Sequence, residues 1–211
     1  MRFPVVLALA VPLVIIGGGL GAYSLSRPVA SQTRTFYIAA DEVAYPAPAA
    51  ASAGTGGGPA EYRTAVYREY TDSTFTTVKE RPAQWKHLAF LGPLIRAGVG
   101  DTIRVVFRNR VSFPANVHPD GVLQHHDAPA AATLGPNTLG ADLDDTPVPP
   151  GGSRVYTWSV PSAAGPGPED LGSVLWLYHS RTGAANGVEA ALIGPMIVYK
   201  RGALAGEPRP R

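Results

Sequence analysis

The sequence contains no cysteine. Disulfide staples, thiolate-held metals and thiol catalysis are therefore excluded together. Charge is scarce as well. Charged residues make up 16% of the chain, and 18 Lys and Arg against 16 Asp and Glu leave a net charge of +2. There is no run of Lys or Arg and no basic stripe, so nucleic acid is not an expected partner. Helical periodicity of any length is also lacking. Gly (24) and Pro (21) are abundant instead, a composition that suits a sheet protein with many turns better than a helical bundle. A domain without disulfides must hold itself by burial, and 211 residues allow one domain of ordinary size, or two small ones.

Residues 3–25, FPVVLALAVPLVIIGGGLGAYSL, carry no charge, with Arg2 before them and Arg27 after. The stretch is long enough for a signal-peptide core or for a spanning helix of about 20 residues. Pro12 and Gly17 to Gly19 weaken a helix, and VAS at 29–31 is a loose cleavage site. Residues 1–31 are therefore expected to be a signal peptide or a membrane anchor. The rest of the chain is expected to be exported, either secreted or held at the outer face of the cytoplasmic membrane.

The exported part reads as strands separated by Gly/Pro turns. TRTFYIAADEVAY (33–45) and EYRTAVYREYTDSTF (61–75) flank a low-complexity loop at 46–60. In GPLIRAGVGDTIRVVFRNR (92–110), Gly98 to Asp101 make a turn, after which Ile103, Val105 and Phe107 alternate with Thr102, Arg104, Val106 and Arg108. SRVYTWSV (153–160) alternates too. SVLWLYH (173–179) reads as a short buried strand, and GPMIVYK (194–200) closes the domain. ANGVEAALI (185–193) has room for two helical turns at most. Many short strands predict an all-β sandwich or barrel.

Several stretches in order then carry a resemblance: FLGPLIRAGVGDTIRVVFRNR, VHPDGV, DDTPVPPGGSRVYTWSV, AGPGPEDLGSVLWLYHS and GVEAALIGPMIVYKRG. Together they are similar to a plastocyanin-like domain of the multicopper oxidases, of the type found in ceruloplasmin, hephaestin and the coagulation factor A domains. The resemblance covers about residues 33–201. It implies a single cupredoxin-like Greek-key β-sandwich there, with a disordered tail at 202–211.

In that family, His-x-His pairs from two facing domains hold a three-copper cluster, and a Cys thiolate flanked by histidines holds the type-1 copper. A spacing of two puts both imidazoles on one face of a strand, and imidazole suits copper. In this sequence the pairs are broken. They read His118-Pro119-Asp120 and His179-Ser180-Arg181. His118 and His179 match ligand positions, and Asp120 and Arg181 do not. Asp can still donate an oxygen to a metal, whereas Arg stays protonated and has no lone pair to give. Two readings stay open for the histidines: residual copper binding, or hydrogen-bonded structural residues. Asp120 and Arg181 are expected to pair across the former ligand face.

Two other groups bear on metals. His125 and His126 are neighbours, so they point apart on an extended backbone and chelate poorly. GADLDD (140–145) offers Asp142, Asp144 and Asp145 in a loop. The resemblance places Asp144 and Asp145 at an acidic pair that helps hold calcium in ceruloplasmin and the coagulation factors, and calcium takes several oxygens from a flexible loop. A solvated acidic turn is the other reading. Two functions follow. The chain is part of a copper oxidase system whose type-1 copper comes from a second cupredoxin domain, or it is a binding or structural module that kept the fold and lost the metal.

Overall fold

The computed structural model of the chain describes residues 30–46, 61–88, 90–125, 146–182 and 189–204. The expected signal or anchor at 1–31 lies outside these residues except for its last two, and His126, Asp142, Asp144 and Asp145 lie outside them altogether. Among the described residues no helix is long and apolar enough to cross a membrane.

Alternation makes the sheets. Among the described residues ten strands form: β1 (Thr33–Pro46), β2 (Glu61–Tyr70), β3 (Ile95–Gly98), β4 (Thr102–Asn109), β5 (His118–Pro119), β6 (Leu123–His125), β7 (Ser153–Ser159), β8 (Ser173–His179), β9 (Glu189–Ala191) and β10 (Ile193–Tyr199). In β4, Ile103, Val105 and Phe107 are fully buried while Arg104 and Arg108 reach solvent, as the period of two requires. One sheet runs β6-β7-β4-β1-β2-β9 and the other β3-β10-β8-β5. β1 lies parallel to β4 and β3 parallel to β10, so the chain crosses between sheets rather than meandering. The result is a cupredoxin-like Greek-key β-sandwich.

Trp158, Tyr67, Tyr178, Phe107 and Phe113 fill the space between the sheets. Tyr67 of one sheet and Tyr178 of the other meet with ring centroids 5.6 Å apart. Each hydroxyl donates to a buried carbonyl, Tyr67 to Asn116 and Tyr178 to Pro93 at 2.6 Å. Burial alone would make these hydroxyls costly, and the two bonds remove that cost.

Two strands differ from the sequence expectation. Residues 189–191, in a stretch with room for two helical turns at most, form β9 against the edge of β2. An open row of backbone donors and acceptors there outweighs the helix propensity of Glu-Ala-Ala. β8 is not buried on both faces. Trp176 and Tyr178 turn inward, while Leu175, 62% exposed, and Leu177 turn to solvent. Residues 201–204 form a turn that buries Leu204, so packed chain continues just beyond Arg201.

One carboxylate ties the strand ends together. Asp101 accepts from Gln32 N (3.0 Å), Arg34 Nε (2.7 Å) and Gly98 N (2.9 Å). Its own N–H donates back to Gly98 O at 2.9 Å, closing the β3–β4 turn, in which Gly100 adopts φ 91. The Arg34–Asp101 ion pair is almost sealed from water, with side-chain exposures of 7% and 10%. Removing one member of a buried pair leaves the other charge uncompensated. Asp101→Ala is therefore expected to lower the unfolding free energy by about 3–5 kcal/mol, read from the urea midpoint.

A second buried network sets an alkaline limit. Tyr70 donates to Asp41 at 2.6 Å and accepts from Arg110 Nη1 at 2.8 Å. Burial, then the hydrogen bond to Asp41 and the Asp41 charge, push the Tyr70 phenol up to about 12. The folded state holds the neutral phenol more tightly than the unfolded chain does. Its contribution is thus complete below pH 10 and is lost as pH rises through about 12. The difference in 295 nm absorbance titration between the native chain and Tyr70→Phe is expected to show one phenol with a midpoint near 12. A midpoint near 10 would contradict the network.

Candidate metal centre

The site stands where the shortest strand meets the end of β8. β5 has two residues, and its register pairs His118 with His179 and Pro119 with Tyr178. Asp120 N extends the ladder by donating to Leu177 O at 2.9 Å. Directly opposed residues on antiparallel strands bring their side chains together, and the two imidazoles lie with ring centroids 5.8 Å apart, inclined by 58°. Both rings are only partly exposed.

The strand turns sharply after Asp120. Gly121 takes φ 74, and a Cβ there would lie 2.2 Å from Cδ2 of Trp176. Only glycine meets both conditions. Trp176 is fixed in turn by donating from Nε1 to Ala164 O at 2.8 Å. The indole therefore sets the path by which Asp120 leaves β5.

On the other side, Asn116 anchors the chain beyond β8. Its Oδ1 accepts from Ser180 Oγ (3.0 Å) and from Arg181 N (2.9 Å). Ser180 N donates to Leu192 O at 2.9 Å. His179 Nδ1 lies 3.2 Å from Ser180 O. A neutral ring that donates from Nδ1 keeps its lone pair on Nε2, and Nε2 lies 3.7 Å from Asp120 Oδ1. That separation is too long for a hydrogen bond.

Asp120 thus approaches His179, and no direct ion pair joins it to Arg181 across the former ligand face. The physical reason is that a spacing of two fixes a common face only while both residues stay in a strand. β8 ends at His179, and the backbone of Arg181 is already committed to Asn116. Among the described residues no group of three His, Cys, Asp or Glu side chains gathers closely enough to hold a metal ion. His125 is exposed on β6 and hydrogen-bonds through Nε2 to Ser159 Oγ, away from the two paired histidines. Asn116 and Trp176, which position the site, carried no metal-binding signal in the sequence. Their roles depend on contacts with residues 64 and 55 positions away.

Comparison with known proteins places this geometry in context. The sequence model of a family described as "Multicopper oxidase" matches residues 68–203. Mouse hephaestin is 41% identical over 150 residues, covering 71% of this chain and 13% of that protein. Human ceruloplasmin is 36% identical over 141 residues, covering 67% of this chain and 12% of that protein. The chain thus spans about an eighth of the length of these relatives. A solved multicopper oxidase from Pseudomonas thermotolerans aligns over 82% of this chain and 31% of its own, with 19% identity and a TM-score of 0.42.

Asn116 is the residue that joins the two halves of the site. Asn116→Ala removes the acceptor of both Ser180 Oγ and Arg181 N, and is expected to cost about 1–3 kcal/mol. Urea unfolding checks the cost, and amide exchange should quicken at Arg181 while β4 stays protected.

Proposed function

Because the chain belongs to the multicopper oxidase family, we propose that it is an exported domain carrying half of a former trinuclear copper site, which retains two imidazoles and no oxidase activity of its own. The observation that carries this reading is the cross-strand pair of His118 and His179, with Asp120 and Arg181 at the positions two residues on.

The donor set does not fit a three-copper cluster. Two of the four positions hold residues other than histidine, and a guanidinium has no lone pair to offer. It fits one copper ion held by His118 and His179. Asp120 Oδ1 lies 3.7 Å from His179 Nε2, but it does not gather with the two imidazoles closely enough to serve as a third donor. Remaining positions would be filled by water or by a second cupredoxin domain. Such a domain would also have to provide the type-1 copper, since this chain has no thiolate. Export through residues 1–31, as a cleaved signal or as an anchor at the outer membrane face, belongs to the same proposal.

The second reading is a non-catalytic module of the same fold, with calcium at Asp144 and Asp145. It is favoured by the lack of a gathered group of three metal donors among the described residues. Copper decides between the two. After loading and desalting, the chain is expected to retain about one copper per molecule, and His118→Ala or His179→Ala should weaken retention by at least about tenfold. Asp120→His with Arg181→His should increase it. The copper-loaded chain is expected to turn over neither a phenol nor ferrous iron. Retention unchanged by both alanine variants would remove copper from the proposal, and measurable turnover would remove the claim of inactivity.

A further inference from the structure

The sandwich is open along one edge. Residues 78–88 run beside β2, tied to it by the Tyr70–Val78 bridge and by Lys79 N donating to Glu69 O at 2.8 Å. Arg81 then fastens the segment, donating from Nη2 to Leu91 O at 2.5 Å. Between this flap and the two sheets lies a cavity of about 750 Å3, within the range of small-molecule sites. Phe36 and Tyr67 from one sheet and Leu94 beside the other form its apolar side, with Trp85 from the 3-10 turn Ala83–Leu88.

The charge at its walls is one-sided. Six cationic side chains line it, against Glu69 and Glu80. Both acids are already used, Glu69 by Lys79 at 2.8 Å and Glu80 by Lys86 at 3.1 Å, and Arg34 is neutralised by Asp101. The positive excess is therefore carried by Arg68 and Arg81. Arg81 bonds only to carbonyls, and its Nη1 is buried without a partner. Arg96 lies over the Tyr199 ring and donates to its hydroxyl. Arg68 is exposed at the rim. A cleft with low-dielectric walls and charge of one sign concentrates the opposite ion, and a guanidinium matches a carboxylate in shape.

We propose that this cavity binds a small organic carboxylate with a flat apolar body, its carboxylate at Arg68 within the field of Arg81 and its body against Phe36, Tyr67 and Leu94. The site is separate from His118 and His179, and it holds whether or not copper is bound.

The test uses two probes with the same body and opposite charge, 1-naphthaleneacetate and 1-naphthylmethylammonium, titrated calorimetrically into the full chain. The carboxylate is expected to bind one to one, at least roughly tenfold tighter than the ammonium. Arg68→Gln, at an exposed position, should erase most of that preference while the urea midpoint stays unchanged. Leu94→Trp, which fills the cavity, should weaken both probes. If that variant does not fold, Val78→Trp at the 45% exposed rim takes its place. Equal affinity for the two probes overturns the proposal. So does carboxylate binding that survives both Arg68→Gln and the filled cavity.

Discussion

Asp101 is the constraint on which the rest depends. Its carboxylate reaches the start of β1 through Gln32 and Arg34, and the end of β3 through Gly98. Its carbonyl accepts from Val160 N at 3.0 Å, where β7 ends. β3 lies in one sheet and β1, β4 and β7 in the other, so one residue fixes the offset between the layers. The parallel pairing of β1 with β4 then joins strands that start beside Asp101, and that of β3 with β10 joins strands that end there. In a chain without disulfides, a buried ion pair with further hydrogen bonds to its carboxylate takes over the positional role a covalent bridge would have had. Its worth lies in specificity of register, since a buried pair often contributes little net stability over apolar residues of the same volume.

That offset carries through to the paired histidines. Tyr178 packs on Tyr67 and bonds to Pro93 just ahead of β3. The next residue, His179, must therefore face outward. Its cross-strand neighbour is set by the two-residue ladder of β5. The imidazoles sit on backbone that the core holds in place, whereas Arg181 sits on backbone held by the Asn116 side chain. The two sides of the site thus differ: the paired histidines stand on core-held backbone, and Arg181 on backbone that depends on one amide.

Much of the fold was legible because the signal was local. The alternation in 102–109 and 153–159, the Gly98–Asp101 turn and the aromatic run at 173–179 each predict a strand from neighbours along the chain. β5 and β6 were not legible. Strands of two and three residues have no periodicity, and they exist because β8 and β7 offer them partners. The same division runs through the site. His118 and His179 could be read from motif spacing. The turning of Asp120 toward His179 could not, because it depends on Trp176 against Gly121 and on Asn116, contacts between segments far apart in sequence. The cavity beside β2 was hidden for the same reason: its cations come from separate segments, and their excess emerges only once each acid's partner is known.

The strand lengths have a consequence of their own. Among the described residues the outermost strands of the two sheets, β6, β9, β3 and β5, have three, three, four and two residues, while β1 and β2 inside have 14 and 10. An edge strand exposes a row of unpaired backbone groups on which another chain can grow, and a row this short gives an incoming strand too few bonds to offset its ordering. Where β2 extends beyond β9, Val78 and Lys79 already occupy its free side. The sandwich thus limits strand-by-strand recruitment of other molecules through its outline, and the leucines that β8 shows to solvent lie on a sheet face, where such recruitment does not begin.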